Sequence, residues 1–361
     1  MSGGPARRIG GERDRVLFVL TSRTPGGAPS DGDRWLPVAD LDALDEPVEV
    51  VSVHEQLARI GREPAGPAQV LKSWSQSTVL RYPWRGAGGA DTAYLKATCG
   101  WFRHEPAITQ VLGRIVPEHV PTVLAVDARR GWMLMGPLPG HDRPEAEAES
   151  ESEDAVVATA RVLAQVQLRS VDRLAELAAA GCPDRTLEPT LAALSHLLKD
   201  GFELPQLTGA ERARVRATHP WLAEQVRTLY GCGLPVTVAH GDLHPGNVAV
   251  RGEQLVIYDW TDACLSHPVL DAAGLAHWAG ANGAATAEQV WSAYLQVCRS
   301  TWPEADLDTA RSVAPVVNKV FQMVSYEGIY RAQEPVSRWE LAGVQVGILR
   351  SLLEQETAPT T

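Results

Sequence analysis

The residues best suited to chemistry lie in one short segment in the C-terminal half of the chain. An apolar strand that ends at Ala239 leads into a polar loop, and a predicted hairpin after the loop ends at Asp259. The loop has the spacing H-x-D-x-x-x-x-N, in which the aspartate can take up a hydroxyl proton and the asparagine can bind a metal ion. The segment therefore indicates phosphoryl transfer, with Asp242 as the base and Asn247 and Asp259 as metal ligands.

The residue types in this segment suit that reaction. Phosphoryl transfer needs mainly alignment of the nucleophile and neutralisation of negative charge. Magnesium prefers oxygen ligands and keeps several waters, so one carboxylate and one amide are suitable protein ligands. The same triplet also fits an ordinary turn in which His240 is a buried core histidine. The order of strand, loop, hairpin and second aspartate favours the catalytic interpretation.

The segment also resembles a known family. The resemblance rests on the loop of residues 240–247, on Tyr258-Asp259-Trp260, and on Pro268 and Asp271 further along. These motifs are similar to those of the aminoglycoside phosphotransferase and choline kinase family, small-molecule kinases that share the protein-kinase fold. The similarity extends over residues 67–345.

The resemblance implies a role for each matching residue. Asp242 would be the catalytic base, and Asn247 and Asp259 would hold Mg²⁺. His240 and Asp271 would support the loop structurally. The resemblance also implies ATP as the phosphate donor and a hydroxyl group of a small molecule as the acceptor.

Composition sets the class of protein. The chain has 361 residues, of which 45% are hydrophobic and 21% charged, which is enough apolar content for a large core. The net charge of −11 argues against a nucleic-acid partner, because such proteins favour basic surfaces. The charge is compatible with cationic substrates, although acidic composition commonly serves solubility alone.

The cysteines and the apolar runs indicate the compartment. The five cysteines are scattered and form no C-x-x-C pair, which favours a reducing cytosol over a disulfide framework or a zinc site. The first apolar run, Val16 to Leu20, is too short for a signal peptide, and no transmembrane span is evident. We therefore expect a cytoplasmic protein without a membrane partner. The oligomeric state is left open.

The expected architecture is an α+β, two-lobed, protein-kinase-like fold. Residues 1–66 form an N-terminal extension of unknown role, for which a packing appendage is favoured over a dimer contact or a substrate contact. Residues 67–138 form a small strand-rich lobe that binds the nucleotide. Residues 139–361 form a large helical lobe that carries the catalytic and acceptor-binding residues.

The nucleotide site should involve the third strand of the small lobe. Lys96 lies on that strand, where kinases place a phosphate-binding lysine, and Glu105 matches the acidic residue that pairs with it. Pro106 requires Glu105 to lie in the first helical turn. The alternatives are a surface lysine and a glutamate that favours the helix N-terminus. The first hairpin lacks the glycines of a kinase loop, so Ser75 and Ser77 are the candidate phosphate contacts.

The acceptor should bind between the catalytic loop and the C-terminal helices. Glu327, Tyr330 and Glu334 are the candidate acceptor-binding residues, although for any single one of them an ordinary helix residue is the favoured interpretation. By resemblance the first substrate class is an aminoglycoside or related antibiotic, followed by a metabolic amino sugar or amino alcohol. A non-catalytic nucleotide-binding regulator is the alternative from a different class, and the complete set of catalytic residues disfavours it.

Overall fold

The chain separates into a strand-rich and a helix-rich unit. In the computed structural model, the described residues are 7–9, 17–19, 56–86, 89–140, 149–333 and 335–356. The first unit comprises Met1–Cys99 and Val123–Pro137, and the second comprises Gly100–Thr122 and Leu138–Thr361. The α+β class predicted from the sequence, with strands in the N-terminal part and helices in the C-terminal part, is confirmed. The roles assigned to the three predicted domains stay predictions.

The first unit is built on antiparallel strands. Its strands are β1 (Arg7–Ile9), β2 (Leu17–Val19), β3 (Glu63–Pro64), β4 (Gln69–Ser73), β5 (Ser77–Gly86), β6 (Gly89–Thr98), β7 (Val123–Asp127) and β8 (Trp132–Met135). β1 pairs with β2, and the other six form one sheet in the order β3-β5-β6-β8-β7, with β4 also paired to β5. Strand β5 alternates buried and less buried residues, so Leu80, Tyr82 and Trp84 share one core with Leu95 and Leu134.

The second unit is mainly helical. Its helices are α1 (Glu105–Ile115), α2 (Glu153–Ser170), α3 (Leu174–Ala179), α4 (Leu187–Asp200), α5 (Gly209–Ala217), α6 (His219–Tyr230), α7 (Val269–Asn282), α8 (Ala287–Thr301), α9 (Leu307–Ala332) and α10 (Val344–Glu356). Thr208 and Glu211 form a capping box at the start of α5, as Thr286 and Gln289 do for α8. No helix in the described ranges is long and apolar enough to cross a membrane.

Four short strands bring the chemically interesting segments of the second unit together. They are β9 (Thr237–Ala239), β10 (Val248–Arg251), β11 (Gln254–Ile257) and β12 (Cys264–Ser266). β10 and β11 form the predicted hairpin, and β9 pairs with β12 so that Ala239 lies opposite Cys264. Because β9 precedes the catalytic loop and β12 follows Asp259, this pairing holds both segments side by side.

A buried histidine gives the folded state a pH dependence that can be measured. His267 is 1% exposed and packs edge-on against Tyr230. Burial lowers its pKa from 6.5 to about 3. Between these two values the unfolded chain binds a proton that the folded chain excludes, so stability falls as pH drops from 6.5 and levels off below 3. At pH 5 the free energy of unfolding should be about 2 kcal/mol lower than at pH 7.

Urea unfolding of the His267→Leu variant at pH 7 and pH 5 checks this expectation. Between pH 7 and pH 5, the free energy of unfolding of the variant should fall by about 2 kcal/mol less than that of the wild type. The control is His277→Leu, because His277 is exposed on α7 and should leave the pH dependence as it is. Equal pH dependence in the wild type and the His267→Leu variant would rule out this origin.

Candidate active site

The loop of residues 240–247 leaves β9 through a glycine that no other residue can replace without strain. Gly241 has φ = +87°, and a Cβ built on it would lie 2.4 Å from the carbonyl oxygen of Asp262. An L-residue is disfavoured at this φ, and the close backbone leaves no space for a side chain. Gly241 therefore lets the loop pass directly against the segment after Asp259.

The Asp271 carboxylate anchors the same part of the loop through backbone hydrogen bonds. It lies in the first turn of α7 and is 4% exposed. Its Oδ2 accepts the backbone N–H of His240 at 2.7 Å, and its Oδ1 accepts that of Gly241 at 2.8 Å. The Gln167 amide also donates to Oδ2, at 3.1 Å. Burial raises the pKa of Asp271, and these N–H donors act in the opposite direction. The predicted supporting role of Asp271 is consistent with these contacts.

The His240 imidazole lies inside the loop and is completely buried. Its Nδ1 accepts the backbone N–H of Asp242 at 3.3 Å, and its Nε2 lies 3.0 Å from the carbonyl oxygen of Tyr258. An amide N–H can only donate and a carbonyl can only accept, so the tautomer with hydrogen on Nε2 satisfies both contacts. His240 therefore connects the backbone of Asp242 to the end of the hairpin.

Asp242 presents its carboxylate to solvent while its backbone is held. Its side chain is 56% exposed. Its N–H donates to His240, and its carbonyl oxygen accepts the Asn247 amide at 2.8 Å. His244 Nε2 lies 3.9 Å from Asp242 Oδ2, which is too long for a hydrogen bond. The exposed carboxylate is therefore accessible to a hydroxyl group at hydrogen-bond distance, which a general base needs, and the role of Asp242 as base stays a prediction.

Asn247 and Asp259 lie at the two ends of the β10–β11 hairpin. The Tyr258 N–H donates to the Asn247 carbonyl at 2.9 Å, and Asp259 follows directly. Because the Asn247 side-chain nitrogen donates to Asp242, its Oδ1 is the atom left for a metal ion. Asp259 has φ = 66° and ψ = 61°, and is the single non-glycine residue with positive φ among the described residues. That conformation costs about 1–2 kcal/mol for an L-residue.

These two residues fit a magnesium site. Both offer oxygen, and Mg²⁺ is commonly bound through one or two such protein ligands together with phosphate oxygens and water. Asp271 is unsuitable as a ligand, because both of its oxygens already accept backbone N–H groups. Across the described residues, no cluster of three or more His, Cys, Asp or Glu side chains is arranged to hold a metal.

Helix α9 supplies two neighbours of the loop, of which the sequence analysis did not identify Gln322. The Gln322 amide donates to the Gly241 carbonyl at 3.3 Å. One turn later, Tyr326 lies near Asp242 and Asp262 and interacts electrostatically with both carboxylates. Burial, followed by these two charges, raises the pKa of Tyr326 to about 12. Asp262 could have been noticed from its place beside the Asp259 motif, whereas nothing in the sequence pointed to Gln322.

Two of the predicted acceptor-binding residues have other contacts. Glu327 is 7% exposed, and its carboxylate accepts from the Phe202 N–H at 3.0 Å, from the Gln345 amide at 3.0 Å and from Arg331 at 2.6 Å. Tyr330 stacks on Phe202 with ring centroids 3.8 Å apart. These contacts join α9 to the segments around Phe202 and Gln345. Glu334 lies outside the described residues, and acceptor binding by these residues stays a prediction.

The predicted nucleotide-binding residues occupy buried or half-buried positions. Lys96 lies on β6 opposite Val79 and Met133 and is 4% exposed. Ser77 is also buried, and its hydroxyl accepts the Trp74 indole N–H at 2.8 Å, while Ser75 is half-buried in the turn before it. These phosphate contacts stay predictions.

The predicted partner of Lys96 lies at the start of a helix. Glu105 is buried in the first turn of α1 of the second unit, and Pro106 follows it there. The position of Glu105 is as the sequence predicts. Its pairing with Lys96 stays a prediction.

The role of Gly241 predicts a large difference between two glycine substitutions. Gly241→Ala should destabilise the protein by about 3 kcal/mol, because a strained φ and a backbone clash act together. Gly252→Ala is the matched control, since Gly252 also has positive φ but has no atom within 4 Å of the added Cβ. It should cost only about 1 kcal/mol. Urea unfolding of both variants measures the difference, and equal losses would contradict the close-packing argument.

Comparison with known protein families gives one match. Residues 100–307 match the sequence model of a family described as the phosphotransferase enzyme family. A search of curated proteins finds no match.

Solved structures with the same fold include small-molecule kinases. The GDP and kanamycin complex of APH(2")-IIia is 18% identical, covers 87% of this chain and 99% of that chain, and has a TM-score of 0.56. Amicoumacin kinase hAmiN, in complex with AMP-PNP, Ca²⁺ and Ami, is 14% identical, with coverages of 89% and 97% and a TM-score of 0.56. Plasmodium vivax ethanolamine kinase is 9% identical, with coverages of 87% and 90% and a TM-score of 0.55. At these identities the likeness shows a shared fold.

Proposed function

We propose, on the premise that this chain belongs to the phosphotransferase enzyme family, that it transfers the γ-phosphate of ATP to a hydroxyl group of a small molecule. The observation that carries the proposal is the arrangement of Asp242, Asn247 and Asp259. The base is exposed on a backbone held by His240 and Asn247, and the two oxygen ligands follow at the base of the hairpin. An ordinary turn would not need this combination of a buried carboxylate support and an exposed carboxylate.

In the proposed reaction, Asp242 accepts or orients the proton of the acceptor hydroxyl. The hydroxyl oxygen attacks the γ-phosphorus in line, the bond to the β-phosphate oxygen breaks, and ADP leaves. Asn247 Oδ1 and the Asp259 carboxylate would hold Mg²⁺, which when bound neutralises charge on the β- and γ-phosphate oxygens. Asp271 keeps the Asp242 backbone in place through His240 and Gly241.

The nucleotide-binding roles are part of the same proposal. Lys96 would contact the α- and β-phosphates, and Glu105 would orient the lysine. Ser75 and Ser77 would contact the phosphates, and the Ser77 hydroxyl, which accepts the Trp74 indole N–H, still has its own O–H to donate. ATP is the proposed donor and GTP is the alternative, because structures with this fold include a GDP complex and an AMP-PNP complex.

The acceptor is proposed to be an aminoglycoside or related antibiotic. Asp242 and Asp262 place two carboxylates near Tyr326, which favours an acceptor that carries ammonium groups. The kanamycin and amicoumacin complexes of proteins with this fold support the same class. An amino sugar or an amino alcohol is the second candidate, supported by the likeness to an ethanolamine kinase.

A mass-spectrometric screen tests the proposal. The protein is incubated with Mg²⁺ and ATP or GTP, together with aminoglycosides, other hydroxylated antibiotics, amino sugars and amino alcohols. The Asp242→Asn variant is run beside it. A phosphate adduct on one compound that disappears in the variant would establish the reaction and the acceptor class together. Tight nucleotide binding without an adduct on any compound would count against the proposal and favour a regulator.

A further inference from the structure

The side chain of His104 reaches from the start of helix α1 to the segment that follows Asp259. His104 Nε2 lies 2.9 Å from the carbonyl oxygen of Thr261. A carbonyl oxygen only accepts, so Nε2 carries the hydrogen and donates it. Both residues belong to the second unit. The contact links two segments that are far apart in the chain.

His104 is the residue before α1, but its side chain makes no capping hydrogen bond to the first turn of that helix. The imidazole is half-buried, and it lies edge-on to the ring of the buried Phe102 with ring centroids 6.5 Å apart. Burial lowers the pKa of His104, and hydrogen bonds to the backbone of Thr261 and Trp101 act in the opposite direction.

Thr261 continues the chain of contacts to the proposed metal ligand. Its hydroxyl donates to Asp259 Oδ1 at 2.7 Å. This contact holds one oxygen of the Asp259 carboxylate in place. Asp259 is also the residue with the left-handed backbone, a conformation that persists only when surrounding contacts hold it.

We propose that His104 is a positioning residue, which fixes the Asp259 carboxylate for metal binding by holding Thr261. The inference rests on the metal role proposed above for Asp259. His104 touches neither the metal nor the substrate. It holds the peptide group of Thr261, and the Thr261 hydroxyl in turn orients the carboxylate.

Manganese binding tests this inference without relying on turnover. Mn²⁺ stands in for Mg²⁺, and its affinity for the full-length protein is measured by electron paramagnetic resonance with a non-hydrolysable ATP analogue present. Loss of a residue that orients a metal ligand typically weakens metal binding by about 10- to 100-fold. We expect this loss for His104→Phe, which keeps an aromatic ring but has no donor. The Mg²⁺ concentration for half-maximal activity should rise in parallel.

Two further variants separate positioning from packing. His104→Gln places an amide nitrogen near the position of Nε2 and should restore most of the Mn²⁺ affinity. His119→Phe is the matched control, because His119 also binds a backbone carbonyl, that of Leu255, at 3.0 Å. It should leave Mn²⁺ affinity unchanged. Wild-type affinity in His104→Phe, or equal losses in the Phe and Gln variants at position 104, would overturn the inference.

An Asp259→Ala variant measured in the same way keeps the two proposals distinguishable. If it binds Mn²⁺ as tightly as the wild type, the metal assignment itself fails. If it loses affinity while His104→Phe does not, only the role of His104 fails.

Discussion

Replacing Asp242 by asparagine should lower kcat by about 10²- to 10⁴-fold, the usual contribution of a general base. Asparagine has nearly the same shape but cannot accept the hydroxyl proton. The fold should be unaffected, because the backbone of Asp242 makes the hydrogen bonds and its side chain is 56% exposed. Nucleotide affinity should also stay within about threefold, since this carboxylate acts on the acceptor.

Steady-state kinetics with the acceptor found in the screen, together with calorimetric titration of nucleotide, checks this prediction. The matched control is Asp308→Asn, because the Asp308 side chain is 92% exposed at the start of α9. The control should turn over like the wild type. If kcat of Asp242→Asn falls by less than tenfold, Asp242 is not the general base.

Replacing Asp259 should separate catalysis from stability. Both Asp259→Ala and Asp259→Gly remove the carboxylate, so both should lose about 10²- to 10³-fold in Mg²⁺-dependent turnover. Their stabilities should differ, because alanine must adopt the left-handed backbone of this position whereas glycine does so without strain. The glycine variant should be more stable than the alanine variant by about 1 kcal/mol.

Urea unfolding and turnover measured on the same two preparations test both halves of this prediction. Equal stability of the two variants would mean that the backbone at Asp259 relaxes when the side chain is lost. Substantial turnover in either variant would show that Asp259 is not a metal ligand.

Local patterns in the sequence predicted much of the fold. The hairpin after Asn247 follows from two short apolar runs around a turn with Gly252, and the structure confirms it. The strands that contain Leu80 and Lys96 follow from alternating and β-branched residues, and these are present as β5 and β6. Pro106 correctly limited Glu105 to the first helical turn. In each case the signal lies within a few residues of the element.

The contacts that complete the site could not be predicted in this way. Gln167 donates to Asp271 from 104 positions away, and His104 reaches Thr261 across 157 positions. No local pattern encodes such pairs, because they form only when helices pack. The Glu327 carboxylate likewise accepts the Phe202 N–H from 125 positions away. Its contact with the acceptor stays a prediction.

The anchoring of Asp271 has a consequence for how chain length can vary. The turn between β10 and β11, at Gly252, is exposed on the surface, so added residues there would leave the ends of the hairpin in place. The stretch from Asp259 to Asp271 differs, because Asp271 holds the loop and Leu265 exchanges backbone hydrogen bonds with Pro183 and Arg185. One inserted or deleted residue in that stretch would shift the register of these bonds. The site therefore requires a fixed number of residues between Asp259 and Asp271, as well as these two aspartates themselves.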